Sequence, residues 1–528
     1  MSTLKELEKL LTQGKITRRE FITRVSALGL MAAVSPALLG TSAQAAGPKR
    51  GGRFRLGSAG GSTTDSMDPG TLSHTMPQTV NQCLRNMLVE VDYKGNAVPE
   101  LAESWEASAD AAKWTFKLRK GVEFHNGKTM DAEDVIYSFN LHRGETKSAA
   151  KGVAEPIKDI KADGKNTVVF TLAEGNADFP YIASDYHIPI VPKGVSGKEF
   201  EKGVGTGPFS MQAWEPGVRF LGKRNPNYFR EGRPYFDEVE LIGIADTNAR
   251  TNALMTGQVD VINRCEPKTF NRLEKAPNIQ ALKLEGARHY TIPMLTTMKP
   301  YDNNDVRLGL KYIIDREQMI KQVLRGYGYL GNDHPIPRNN KYFAKDLPQR
   351  RYDPDKAKFH LKKAGMLDHT FKLHAADAAF PGAVDASVLM QESASKAGVK
   401  IQVVREPDDG YWENVWIKKE WVQCYWSGRP TADWMFSLAY TATASWNDTK
   451  WQNAKFNELV TAARAELDDK KRRQMYIECQ KIVSDEGATP VPAFALQLSA
   501  AGKKCGFKNP AANWEFDGFR APERWWFV

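Results

Sequence analysis

At 528 residues the chain is too long for a single hydrophobic core, and two or three domains of roughly 100–200 residues each are expected. Its formal net charge of +10 comes from 73 basic and 63 acidic residues that are interspersed, with no basic stripe carrying the aromatic spacing of a nucleic-acid surface. Five scattered cysteines, an odd number without CxxC or CxH spacing, exclude a disulfide framework or a zinc motif and read as small buried hydrophobes, one pair of which retains the option of oxidising.

The N-terminus reads as a leader. Thr17-Arg18-Arg19-Glu20-Phe21-Ile22-Thr23 matches the twin-arginine export pattern, and a modestly apolar run from Val25 to Gly40 leads to Ala43-Gln44-Ala45, a small-x-small cleavage site. The run is too short and too weakly apolar for a membrane span. No cysteine stands at the cleavage point, so the expected product is a soluble, net-positive chain in the periplasm, starting near Ala46 without a lipid anchor. Export by this route implies the twin-arginine translocase as a partner and folding in a reducing cytoplasm, hence stability without disulfides. It would also permit loading of a metal chelate before export.

The mature chain reads as mixed α and β without internal repeats. A strand near Arg53–Leu56 enters Gly57-Ser58-Ala59-Gly60-Gly61-Ser62, which lacks the following Lys-Ser/Thr helix of a phosphate loop. Asp68-Pro69 follows. In Trp114-Thr115-Phe116-Lys117-Leu118-Arg119, alternation sends Trp114, Phe116 and Leu118 to a core and the others to water. His125-Asn126-Gly127 closes a tight turn. Asp131 and Asp134 then form the pattern of a capping box for a helix that buries Val135, Ile136 and Phe139. A strand is expected at Thr167–Leu172. Gly205-Thr206-Gly207-Pro208-Phe209 makes a turn and lacks the third glycine of a dinucleotide fingerprint.

Further on, Asp305-Val306-Arg307 opens a helix with Leu310, Ile313 and Ile314 inward, and Asp315 is placed to cap a second helix carrying Met319, Ile320 and Val323. His369 and His374 flank a strand and cannot share one metal. Adjacent Asp408-Asp409 and Asp468-Asp469 read as turns and caps. The run Lys470-Lys471-Arg472-Arg473 reads as the solvated face of a helix. There is no HExxH, GxSxG or P-loop.

The stretch Leu101–Phe139 resembles, almost position by position, the signature of the family 5 extracellular solute-binding proteins. Asp68-Pro69, Gly205–Phe209, Lys223-Arg224-Asn225-Pro226-Asn227-Tyr228, Gly257-Gln258-Val259-Asp260, Ile314-Asp315-Arg316 and Tyr352-Asp353-Pro354-Asp355-Lys356-Ala357 match further family elements in order. The resemblance spans essentially the whole mature chain. It implies an α/β fold of the class II periplasmic binding type: two discontinuous lobes with an additional α/β domain. The expected division is a signal peptide at 1–45, lobe I from 46–85, 203–288 and 490–528, an extra domain at 86–202, and lobe II at 289–489.

It also implies capture of a solute between closing lobes and delivery to ABC-transporter permease subunits, by a monomer without cofactor, catalytic residues or a nucleic-acid partner. The family default is a peptide. The alternatives are a non-peptide solute (opine-like, anionic, sugar-type or a metal chelate) and, in a different class, a twin-arginine-exported enzyme.

The ligand loop is expected at Trp421–Trp434, where a strand ends in a Gly/Pro loop that holds Gly428. It resembles the loop of peptide-binding members, in which a Trp is followed three positions later by an Asp that takes the peptide ammonium. Trp426 fits as pocket wall, but Arg429 stands at the Asp position, and the Arg that holds the peptide carboxylate in those members falls here on Asp377. Both anchors are inverted in sign, at a cost of several kcal/mol for a peptide in the family's pose. Asp433 takes the ammonium if the loop holds a one-residue insertion. Otherwise a reversed or non-peptide solute is held by Arg429, or both charges belong to the surface. Ser73-His74-Thr75-Met76 lies where the family places first-lobe contacts, which makes Thr75 and Met76 candidates.

Overall fold

The computed structural model describes residues 47–528 apart from Asp409 and Ser445, so the leader at 1–45 lies outside the described residues. Among the described residues three sheets have four or more strands, and the first of these has seven in the spatial order Ile279–Leu284, Gln497–Gly502, Val261–Ile262, Arg53–Ser58, Glu238–Gly243, Arg219–Arg224 and Phe209–Glu215. Arg53–Ser58 runs parallel to both of its neighbours, with Leu56 opposite Leu241 on one side and Val261 on the other. A strand flanked on both sides has no edge to solvate, and Phe54 and Leu56 are fully buried. One face packs on the helix Thr75–Leu84 through Met76, Val80 and Leu84. The other takes Leu254, Phe270 and Leu273 from the helices Thr247–Met255 and Pro267–Lys275.

The second sheet orders Gly328–Leu330, Ala493–Ala495, His289–Thr291 and Cys424–Trp426. A bridge between His374 and Val422 joins to it the parallel pair Thr370–Ala375 and Lys400–Arg405. Leu310, Ile313, Phe371, Trp421 and Phe436 fill the core beside it. Asn303, rather than Asp305, caps the first helix there (Asn304–Tyr312); Asp315 caps the short next one by accepting from Gln318 N at 3.0 Å.

The third sheet is antiparallel, in the order Ala102–Ala107, Lys113–Leu118, Thr167–Leu172, Ile157–Ala162. Trp114, Phe116 and Leu118 point inward, as their alternation requires. The helix Ala132–Asn140 covers them and begins in a complete Asp131/Asp134 capping box.

The chain passes between the first two sheets at 284–289 and again at 495–497. Register corrects one expected boundary: Phe494 stands opposite His289 and Tyr329, so 490–495 belongs with the second sheet and the first resumes at Gln497. The basic run at 470–473 also differs from expectation. Lys470 and Lys471 are exposed, but the helical period turns Arg472 inward, where it meets Asp178 at 2.8 Å. All five cysteines are buried and unpaired, and no described helix is long and apolar enough to cross a membrane.

Candidate functional site

The segment entering the site is the strand Cys424–Trp426. Its pleat buries Cys424 and Trp426 and turns Tyr425 outward. Trp426 is only 6 % exposed, and its Nε1 donates to Asp448 Oδ2 at 3.3 Å, an oxygen that also accepts from Trp416 Nε1 at 3.4 Å. Burial pushes the Asp448 carboxyl up to about 7, against the pull of the two indole donors. Trp426 is thus a strut beneath the loop, not the pocket wall that its position in the motif suggested.

At Gly428 the chain turns with φ +80°, and a Cβ here would lie 2.2 Å from Ala287 Cβ and 2.6 Å from Ala287 O. The loop is therefore seated directly on the segment that crosses between the sheets. Arg429 and Pro430 follow, and Thr431 caps the helix Ala432–Ala439 by accepting from Trp434 N at 3.2 Å.

Arg429 borders a cavity of about 200 Å³ at the meeting of all three sheet regions. The walls come from residues 91–96 with Asp178 and Tyr181, from 284–287 and 510–514, and from 337–342 and 427–432. The Arg429 Nη1 donates to Gly428 O at 2.6 Å, and among the described residues no carboxylate lies within 4.0 Å of the guanidinium. Burial lowers its pKa, with Tyr186 and Asp185 opposing from a distance. A half-buried guanidinium with a single protein acceptor has donors to spare for a carboxylate.

Of the residues expected at the site, Gly428 and Arg429 border this cavity, and the others lie elsewhere. Asp433 is turned into the helix packing, where Arg464 Nε donates to both of its oxygens at 3.2 Å; burial pushes its carboxyl up to about 6. A partner already in place makes it a poor ammonium ligand. Asp377 is exposed and accepts from Val384 N at 3.3 Å, beside the start of the helix Ala383–Lys396. Thr75 is buried and accepts from Arg264 Nη2 at 3.0 Å, while Met76 is core beneath the first sheet.

Sequence reasoning missed Asp178, Tyr181, Lys341 and Trp514, which border the cavity from distant parts of the chain. Asp178 alone left a trace, since a lone carboxylate next to Phe179-Pro180 is where a short helix starts. Among the described residues no three His, Cys, Asp or Glu side chains come together as a metal-ligand set.

Residues 96–448 match the family model described as bacterial extracellular solute-binding proteins, family 5 Middle. The chain is 27% identical over 504 residues to di/tripeptide-binding protein 1 of Pseudomonas aeruginosa (strain UCBPP-PA14), covering 87% of this chain and 92% of that protein. Among solved structures, the periplasmic binding protein DppA of Helicobacter pylori in complex with the peptide STSA superposes with a TM-score of 0.75 at 23% identity, over 91% of this chain and 98% of that one. AgaA of A. tumefaciens R10 in complex with agropinic acid gives a TM-score of 0.74 at 24% identity, over 90% and 99%. These two likenesses show the two-lobed α/β fold of periplasmic binding proteins.

Proposed function

The chain belongs to the family 5 bacterial extracellular solute-binding proteins, and from that membership we propose that it captures a short peptide in the cavity beside Arg429 and hands it to the permease of an ABC importer. The two lobes are residues 46–85 with 203–288 and 497–528, and residues 289–496; residues 86–202 add the extra domain. Closure about the crossings at 284–289 and 495–497 buries the solute. The chain performs no chemistry; transport energy comes from a separate ATPase. It works as a monomer in the periplasm, after twin-arginine export and cleavage near Ala45.

One observation carries the reading: a half-buried guanidinium bordering a cavity, with no carboxylate of the described residues beside it. A solute carboxylate would pair with it in a bidentate and charge-assisted form. The same residue supports a second reading, an anionic non-peptide solute of the opine-like kind, because Arg429 occupies the place at which peptide-binding members carry the ammonium-binding Asp. A neutral sugar would leave the guanidinium unanswered.

Titration calorimetry with Ala-Ala, a tripeptide and an opine tests both. The expected result is saturable one-to-one binding with no turnover, and for Arg429→Ala a weakening of about 10- to 100-fold, the usual size for one anchoring Arg. Unchanged affinity in the variant would remove Arg429 from the site. Preference for the opine over both peptides would select the second reading.

A further inference from the structure

Resting on the peptide-capture reading above, we propose that Asp178 is a second ligand anchor, taking the ammonium of a zwitterionic solute whose carboxylate is held by Arg429. Asp178 borders the same cavity and is 5 % exposed. Its Oδ1 meets Arg472 Nη1 at 2.8 Å, but Oδ2 is buried with no hydrogen-bond partner. A buried carboxylate oxygen left without a donor is costly, and such orphans call for an explanation.

The other charges at the cavity already have partners or water. Asp92 accepts from Lys94 N, Asn96 N and Asn96 Nδ2 to shape its own turn. Glu285 holds Arg338, and Lys341 meets Asp469 at 2.9 Å. Lys94 is exposed and solvated. What remains is one acceptor without a donor, on Asp178, and one cation without a carboxylate, on Arg429. A neutral solute would answer neither, and a simple anion only the second. A zwitterion answers both.

Size and connectivity agree with this. About 200 Å³ is below the roughly 300–1,000 Å³ of drug-sized sites and suits a ligand of one or two small residues. Asp178 belongs to the third-sheet region, whereas Arg472 sits on the helix Asp469–Glu486 packed beside the second sheet. An ammonium on Oδ2 therefore joins an ion pair that already spans the two regions, which ties recognition of the amino end to closure. Ala177 N donating to Arg464 O at 2.7 Å marks the same contact.

The test is calorimetry on the full mature chain with Ala-Ala, N-acetyl-Ala-Ala and Ala-Ala amide, repeated on Asp178→Asn, which keeps Oδ1 for Arg472. Acetylation is expected to weaken binding to the wild type by about 10- to 100-fold, as for a lost charge-assisted bond, and far less in the variant. Amidation is expected to cost the same in both. Wild-type affinity for N-acetyl-Ala-Ala equal to that for Ala-Ala would overturn the anchor while leaving peptide capture intact. So would an acetylation penalty undiminished in Asp178→Asn. Failure of the wild type to bind Ala-Ala at all would overturn both. Should the variant not fold, the wild-type ligand series decides alone.

Discussion

Replacing Arg520 with alanine is expected to destabilise the folded chain by about 3–5 kcal/mol, the range found when one partner of a buried ion pair is removed. Its Nη1 and Nη2 each reach a Glu100 oxygen at 2.7 Å, and Nη1 lies 3.3 Å from Glu523 Oε2. Arg230 continues the network to Glu90 at 2.6 Å and to Glu523 at 2.8 Å. Three separate stretches of chain, around residues 90–100, 230 and 517–524, are thereby stitched together. Glu100 is fully buried, and burial pushes its carboxyl up while Arg520 pulls it down. With Arg520 gone, Glu100 keeps, among the described residues, Asn86 Nδ2 at 2.7 Å and Met87 N at 3.3 Å. Either the carboxyl takes up a proton or the third-sheet region loosens from the C-terminal segment. Denaturant unfolding measures this; a loss below about 1 kcal/mol, the value of an exposed pair, would contradict the network's role.

The second large effect is expected at Gly428. Valine there puts a β-branched residue at φ +80°, which costs of order 1–3 kcal/mol, and drives its Cβ to 2.2 Å from Ala287 Cβ. Overpacking adds about 1–3 kcal/mol if the loop stays in place. The alternative is that the loop lifts off the crossing segment and carries Arg429 out of the cavity. The expected result is therefore a loss of solute affinity of about 100-fold, the equivalent of about 2.7 kcal/mol, with a lowered Tm. A variant with near-wild-type Tm and affinity would show that the seat of the loop on Ala287 is not what positions Arg429.

What could be read from the sequence was whatever is local. The alternation at Trp114, Phe116 and Leu118, the Asp131/Asp134 box and the inward Leu310, Ile313 and Ile314 each depend on residues a few positions apart, and a strand or helix imposes that spacing directly. That Gly428 and Arg429 border a cavity was legible for the same reason, since a strand ending in a Gly/Pro loop marks a cleft edge. The rest depends on what faces what. Trp426 was misplaced because the side of a strand that meets the core is set by the neighbouring Trp416 and Asp448, not by the motif. Asp433 was misplaced because Arg464, 31 residues on, claims it. Arg472 was buried by a contact with Asp178, 294 positions earlier in the chain, which no period within the helix Asp469–Glu486 announces. The boundary at 490 failed by one strand, because a short run such as Ala493-Phe494-Ala495 suits either sheet and only its pairing decides.

On the capture reading, the chain holds a small solute, one per molecule, and does nothing else to it. Native mass spectrometry of the mature protein taken from the periplasm, before and after mild unfolding and refolding, tests this directly. The expected result is a single mass increment, from a zwitterion of dipeptide size, that is lost on unfolding and restored, unaltered, by adding back the released compound. A released compound that returns chemically changed after incubation with the protein, or a native protein that takes up none of the peptides, opines or periplasmic extract offered to it, would contradict it.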